Sequence, residues 1–407
     1  MSEQPVRGES PAFVARLGDR SLFPELDAVS YLNHGGISPA SIAIQRAVSE
    51  VAEDYARRGA SAFPRWMEQR ARLKTKLAGM IGVTANDLAF VPNTTRGVID
   101  IALCFPWNKG DRVIVFAGEF PANVTPWQRA AEAFGFEVVF LPIADFEASD
   151  DQGLARLREE LSRGARLVAV SAVEFQTGLK MPLEAIAELC HAHDAQVFVD
   201  AVQALGAVPL DAAKTKIDYL ACGSHKWLMS LEGAGIVYIR PDRVAALRPT
   251  VAGWLSHEEG LRFLFEGKGH LRYDRPIRKT ASFLEGGNYN TAGLAALEAS
   301  LDLILSIGVP AIYAHIQRYH DALEAGLVAR GLKSLRQRDP ARRSATLSVL
   351  PPEGVDVVLL HKEINARKVA CALPDGVLRF TPHWPNAIDE VPAVLAVVDE
   401  SLRAVRG

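Results

Sequence analysis

"IDYLACGSHKWLMSLEGAGIVYIR", residues 217–240, sets one lysine, Lys226, between a histidine and a tryptophan, with small residues on either side. Strand-like runs flank it: Ile217, Tyr219 and Leu220 before, then Ile236, Val237, Tyr238 and Ile239 after. A buried lysine is expensive unless it is paired or put to use. A lysine at the end of a core strand therefore asks for a partner.

Outward from this stretch, apolar runs alternate with helical patterns. "DRVIVFAG" (111–118), "FEVVFLPI" (136–143), "RLVAVSAV" (166–173), "AQVFVDAV" (195–202) and "IDYLACG" (217–223) are continuous and rich in β-branched residues. Such runs suit strands buried on both faces, as in a parallel sheet. Between them "TPWQRAAEAFG", "GLARLREELSRG" and "PLEAIAELCHAHD" read as helices. The alternation predicts an α/β domain with helices on both sides of its sheet. From about residue 287 a long helical pattern leads into short strands and a last helix, "DEVPAVLAVVDESLRAVRG". We expect a large α/β domain over residues 31–286, a smaller α+β domain over 287–407, and a segment 1–30 packing with the small domain.

The 407 residues are 49% hydrophobic, which is ample for a large core. The formal net charge of -3 gives no electrostatic reason to propose nucleic acid or an anionic membrane as partner. Cys104, Cys190, Cys222 and Cys371 sit far apart, with no CxxC pair. That argues against a zinc site or a disulfide framework and fits a reducing cytosol. "MSEQPVRGESPAF" carries no apolar core of a signal peptide, and no apolar run is long enough to span a bilayer. A cytoplasmic protein without a metal is expected.

In an open α/β sheet ligands bind at the carboxyl ends of strands. The polar residues that follow each strand are therefore the candidates. Asp200 and Gln203 follow "VFVD"; Ser224, His225 and Lys226 follow "ACG"; Glu174, Phe175 and Gln176 follow "VSAV"; Glu119, Phe120 and Asn123 follow "VIVFAG". Before the sheet, Asn93, Thr94 and Thr95 open a helix, where hydroxyls and free N–H groups bind phosphate well. Taken singly, most of these residues are ordinary caps and turn formers. No GxGxxG, Walker or GxSxG pattern accompanies them.

Together they meet the needs of one cofactor, pyridoxal 5'-phosphate (PLP). It wants a lysine for its Schiff base, a carboxylate for its ring nitrogen, donors for its phosphate and an apolar group against the ring. Lys226, Asp200, the set Thr94, Thr95 and His225, and Phe120 would supply these in turn. Ser224 joins the cofactor set, and Gln203 is placed for the ring's phenolate oxygen.

The chain resembles a fold-type I PLP enzyme of the class V aminotransferase family, which includes cysteine desulfurases, kynureninase and isopenicillin N epimerase-like proteins. The resemblance runs from "YLNHGGISPAS" to "LRFTPHWPNAIDEV". "VFVDAVQALGAVPLD" resembles the aspartate-plus-glutamine segment, "GSHKWL" the lysine loop, and "GEFPANVTPWQ" the strand end that lays an aromatic residue on the cofactor. The desulfurases use histidine where this chain has Phe120. "LEGGNYNTAG" resembles the segment that reaches the neighbouring subunit's phosphate, with Asn288 where the family usually has threonine. "LRFTPHW" carries Arg379, matching the arginine that grips the substrate carboxylate. The resemblance implies a homodimer and an amino acid or amine substrate, with Asn33 and His34 near it.

Which reaction follows stays open at this level. Aminotransferase chemistry is the simplest expectation. An epimerase or a C–S or C–X lyase shares its first step, removal of the Cα proton by Lys226, and a PLP-fold protein without turnover is a further alternative. A desulfurase needs a mobile nucleophilic cysteine, whereas Cys371 lies inside the apolar run "KVACAL" and reads as core.

Overall fold

The computed structural model describes residues 13–406. In chain order its strands are β1 (Ser30–Tyr31), β2 (Leu88–Val91), β3 (Arg112–Ala117), β4 (Glu137–Pro142), β5 (Leu167–Ser171) and β6 (Gln196–Asp200). They continue with β7 (Tyr219–Gly223), β8 (Gly235–Ile239), β9 (Lys333–Ser334), β10 (Leu347–Leu350), β11 (Val369–Ala370) and β12 (Leu378–Phe380). All five sequence-predicted runs are strands of one seven-stranded sheet, ordered β2-β8-β7-β6-β5-β3-β4.

The continuous apolar runs work because successive side chains leave opposite faces of a strand. Ile114, Phe116, Val168 and Val170 enter one buried cluster; Val113, Val115, Leu167 and Ala169 enter another behind the sheet. Helices cover both faces, among them Thr94–Cys104 and Thr125–Phe134 on one side and Asp150–Leu161 and Leu183–His191 on the other. The result is the helix-covered α/β sheet that the resemblance implies. β8 departs from a purely parallel sheet, being antiparallel to both β7 and β2. The reason is local: the loop that carries Lys226 is too short for a crossover helix, so the chain can only turn back.

Helix Thr291–Ile307, which follows the expected boundary at residue 287, packs Leu294, Leu297, Leu301 and Ile304 into the same core as the large sheet. At Gly308, where φ is +87°, the chain bends by 76° into the next helix, Val309–Ala329, whose first half, with Ile312 and Ile316, stays in that core and whose second half, from Tyr319, enters a third. That core lies under the antiparallel sheet β12-β10-β9 and includes Leu323, Leu347, Phe380 and Val394. The N-terminal segment binds both parts. Phe23 packs on Trp384 with ring centroids 5.6 Å apart, and β1 pairs in parallel with β11. Of the expected 1–30 segment, residues 1–12 lie outside the described residues. Among the described residues no single helix is long and apolar enough to cross a membrane.

Candidate active site

β2, β3, β5, β6 and β7 all run the same way, so their carboxyl ends meet along one edge. Lys226 follows β7 in a tightly held loop. Its carbonyl accepts from Ser38 Oγ at 2.7 Å and from Met229 N at 2.8 Å. Behind it Gly206, at φ +108°, passes so close that a Cβ there would lie 2.2 Å from the Trp227 carbonyl oxygen. Only glycine fits that crossing.

The Lys226 amine lies 5.4 Å from the centroid of the Phe120 ring and, among the described residues, has no hydrogen bond or ion pair. Phe120 is 44% exposed and meets Phe175 edge-on at 5.4 Å. Burial lowers the Lys226 amine to about 8, against the pull of Asp200, with Arg379 adding to the lowering. Asp200 ends β6, fully enclosed, and its Oδ1 accepts from Val202 N at 2.9 Å. Burial raises it to about 6, while its backbone hydrogen bond and Lys226 hold it back. An unpartnered amine and a buried carboxylate side by side are what the PLP reading requires.

Thr94 is the first residue of its helix, capped by Asn93, whose Oδ1 accepts from Arg96 N at 2.8 Å. Thr94 Oγ1 accepts from Gly223 N at 2.8 Å, which leaves its own proton free to donate. A Cβ on Gly223 would lie 3.2 Å from Thr94 Oγ1 and 3.3 Å from His225 Nδ1. Gly223 thus lets Thr94 and His225 approach one another closely, with exposed Thr95 beside them at the helix N-terminus, a set of donors that suits a phosphate.

Arg379, on β12, is buried; its Nη1 donates to the Phe175 carbonyl at 2.6 Å and its Nε has no partner. Burial lowers it to about 10, with Glu174 opposing. Glu174 accepts from Gln176 N at 2.7 Å and Thr177 N at 2.6 Å, and so shapes the turn that presents that carbonyl. A buried guanidinium with an unused N–H suits a carboxylate ligand. The residue set therefore fits PLP and an amino acid.

Other predicted residues take different places. Ser224 turns its hydroxyl to the Leu231 and Ala234 carbonyls, at 2.6 and 2.8 Å, and holds the loop. Gln203 is buried, with Oε1 accepting from Trp227 Nε1 at 2.9 Å and Nε2 donating to the Gly35 carbonyl at 3.0 Å. His34 is buried against Ser38, Tyr31 and His383. Asn33 folds over its own turn, with Oδ1 buried and unbonded. Asn288 is exposed and lines a separate cavity of about 300 Å³ with Arg96, Asp100 and Tyr289. Thr381, which accepts from Gly35 N at 3.0 Å, and Trp227 went unassigned in the sequence, because their partners lie far away along the chain.

All four cysteines are buried, and burial pushes the Cys371 thiol up to about 12. Known proteins resemble this chain over much of its length. The uncharacterized aminotransferase YcbU of Bacillus subtilis is 25% identical over 382 residues, covering 92% of this chain and 96% of the relative. A cysteine desulfurase of Dickeya dadantii is 32% identical over 247 residues, covering 60% of this chain and 57% of the relative. A solved complex of the cystine C-S lyase C-DES with its reaction product, cysteine persulfide, superposes with a TM-score of 0.83. It is 24% identical and covers 93% of this chain and 99% of that one. The family model for aminotransferase class-V matches residues 38–373, and the chain belongs to that family.

Proposed function

We propose that this protein is a PLP-dependent enzyme that takes the Cα proton from an α-amino acid and releases a sulfur-bearing group from Cβ. The observation that carries the amino-acid reading is that Arg379, from the small antiparallel sheet, reaches the edge of the large sheet where Lys226 and Asp200 lie. When bound, PLP supplies an electron sink for the substrate Cα. Thr94, Thr95 and His225 would hold its phosphate, and Asp200, anionic above about 6, would balance a protonated ring nitrogen. Arg379 would take the substrate carboxylate, and Lys226, at about 8, is well matched to receive a proton near neutral pH.

The sulfur reading rests on the desulfurase relatives and the C–S lyase neighbour. With all four thiols buried, direct release is favoured over carriage of sulfur on an enzyme cysteine. Phe120, beside the lysine amine, has no proton to give. A leaving group that is stable as an anion suits such a site, and a disulfide substrate provides one as a persulfide. Aminotransferase chemistry is the second reading, favoured by the full-length likeness to YcbU.

Products separate them. Incubation with cystine, cysteine and a panel of ordinary amino acids is followed by mass spectrometry. Keto acid with ammonia and unchanged cofactor supports elimination; a keto acid with aminated cofactor supports transamination. Deuterium at Cα without loss of nitrogen means epimerisation. We also take the working unit to be a homodimer in which Asn288 reaches the partner's phosphate; a monomer by light scattering at working concentration refutes this.

A further inference from the structure

One half-buried carboxyl at this edge has no role in the reading above. Glu119 follows β3, Ser171 ends β5 and Asp200 ends β6, and these strands are consecutive neighbours in the sheet. Glu119 Oε1 accepts from Ser171 N at 2.6 Å, and its Oε2 contacts Ser171 Oγ closely. Ser171 is in turn the register partner of Asp200. Asn123, fully buried in the turn after Phe120, also faces the Glu119 carboxyl, although its Nδ2 makes no well-aligned hydrogen bond. Among the described residues no cation pairs with Glu119.

We infer that Glu119 is the neutral, proton-bearing member of a carboxyl pair with Asp200, joined through Ser171, and that it acts as a positioning residue keeping Asp200 anionic. This rests on the reading of Asp200 as the partner of the cofactor's ring nitrogen. A half-buried carboxyl that senses the charge of an enclosed one does not ionise cheaply beside it. The groups facing Asp200 are the Val202 N–H, Cys222 and the Lys226 amine; those facing Glu119 are Ser171, Asn123 and Asp200 itself. Among the described residues the Lys226 amine therefore favours charge on Asp200 rather than on Glu119. The environment agrees: burial raises Glu119 to about 8, its Ser171 bonds oppose the rise, and the Asp200 charge adds to it. An ionised Glu119 would instead push Asp200 toward its neutral form. As a neutral acid, Glu119 can donate from Oε2 to Ser171 Oγ while Oε1 accepts from the backbone.

The test uses the PLP-loaded full chain with its glutamate carboxyls carbon-13 labelled, followed by isotope-edited infrared from about pH 6 to about pH 10. A protonated glutamate band at neutral pH, titrating near 8 and missing from Glu119→Gln, is expected. The cofactor's visible spectrum should show, in the wild type, a change that follows the infrared band, and Glu119→Gln should lose that component while keeping whatever change the Lys226 imine gives by its own titration. A merely structural glutamate would leave that spectrum alone. No protonated glutamate at neutral pH, a band that persists in the variant, or no spectral change with the infrared titration overturns the proposal. If the variant fails to fold, the wild-type infrared and visible titrations still decide it. Asp200→Asn separates the two readings: an unchanged cofactor spectrum there sinks the role of Asp200, whatever Glu119 does.

Discussion

Trp227 Nε1 donates a 2.9 Å hydrogen bond to Gln203 Oε1, and Gln203 Nε2 passes the link to the Gly35 carbonyl at 3.0 Å. The residue after the candidate cofactor lysine is thereby tied to the end of β6 and to the N-terminal segment. Gln203→Leu leaves a buried indole N–H and a buried carbonyl without partners. The expected loss is about 1–3 kcal/mol for each orphaned group. Urea unfolding measures it; an unchanged midpoint at unchanged slope contradicts this role.

Lys226 is held near 8 by burial, far below an ordinary lysine. The neutral amine is the form that attacks an aldehyde. The rate of PLP uptake by the apoprotein should therefore rise with pH to about 8 and then level off. Lys226→Arg should abolish cofactor fixed by borohydride. An inflection close to about 10.4, the ordinary lysine value, would show that the site does not lower the amine.

Arg379 offers a planar guanidinium with one buried N–H still free. A carboxylate matches that fork in two parallel hydrogen bonds, and an ammonium does not. Arg379→Lys should cost on the order of 2–5 kcal/mol of interaction with amino-acid substrates. A simple amine without a carboxylate should be affected far less. Comparing kcat/KM for both substrate types in both proteins checks this; equal losses would make Arg379 structural.

Burial holds His34, His320 and His383 below the usual histidine range, His383 at about 3. In the unfolded chain each takes a proton below about 6.5. The unfolded state thus binds more protons there, and stability, level above that pH, falls as pH drops through it. Each histidine contributes up to about 1.4 kcal/mol per pH unit. Neither ring nitrogen of His320 has a well-aligned hydrogen-bond partner, so His320→Leu should fold well and lose less stability between about pH 7 and about pH 5. Chemical denaturation at the two pH values measures the difference, and an equal loss refutes it.

The sequence by itself determined the strands and the order of polar residues at their ends. Runs such as "RLVAVSAV" are apolar at every position, and only a strand covered on both sides buries them all. Because parallel strands share a direction, Lys226, Asp200 and Phe120 were expected at one edge once the alternation was recognised, whereas Thr94 joins them through the pairing of β2 with the reversed β8. The length of the Lys226 loop also contained the reversal at β8, although the run itself reads like its parallel neighbours. Only the tertiary structure decided where the side chains turn. Ser224 and Lys226 lie two residues apart, yet one hydroxyl serves loop carbonyls while the neighbouring amine stays free. His34 found His383, and Gln203 found Gly35 and Trp227, across separations that local pattern cannot encode. Glu119 illustrates the same division. Its place after a strand is legible in the sequence, but its proton is held by desolvation and the Asp200 charge, against the Ser171 bonds, and both residues arrive on other strands. Electrostatic character belongs to the assembled edge, because desolvation and neighbouring charge exist only after distant segments have packed.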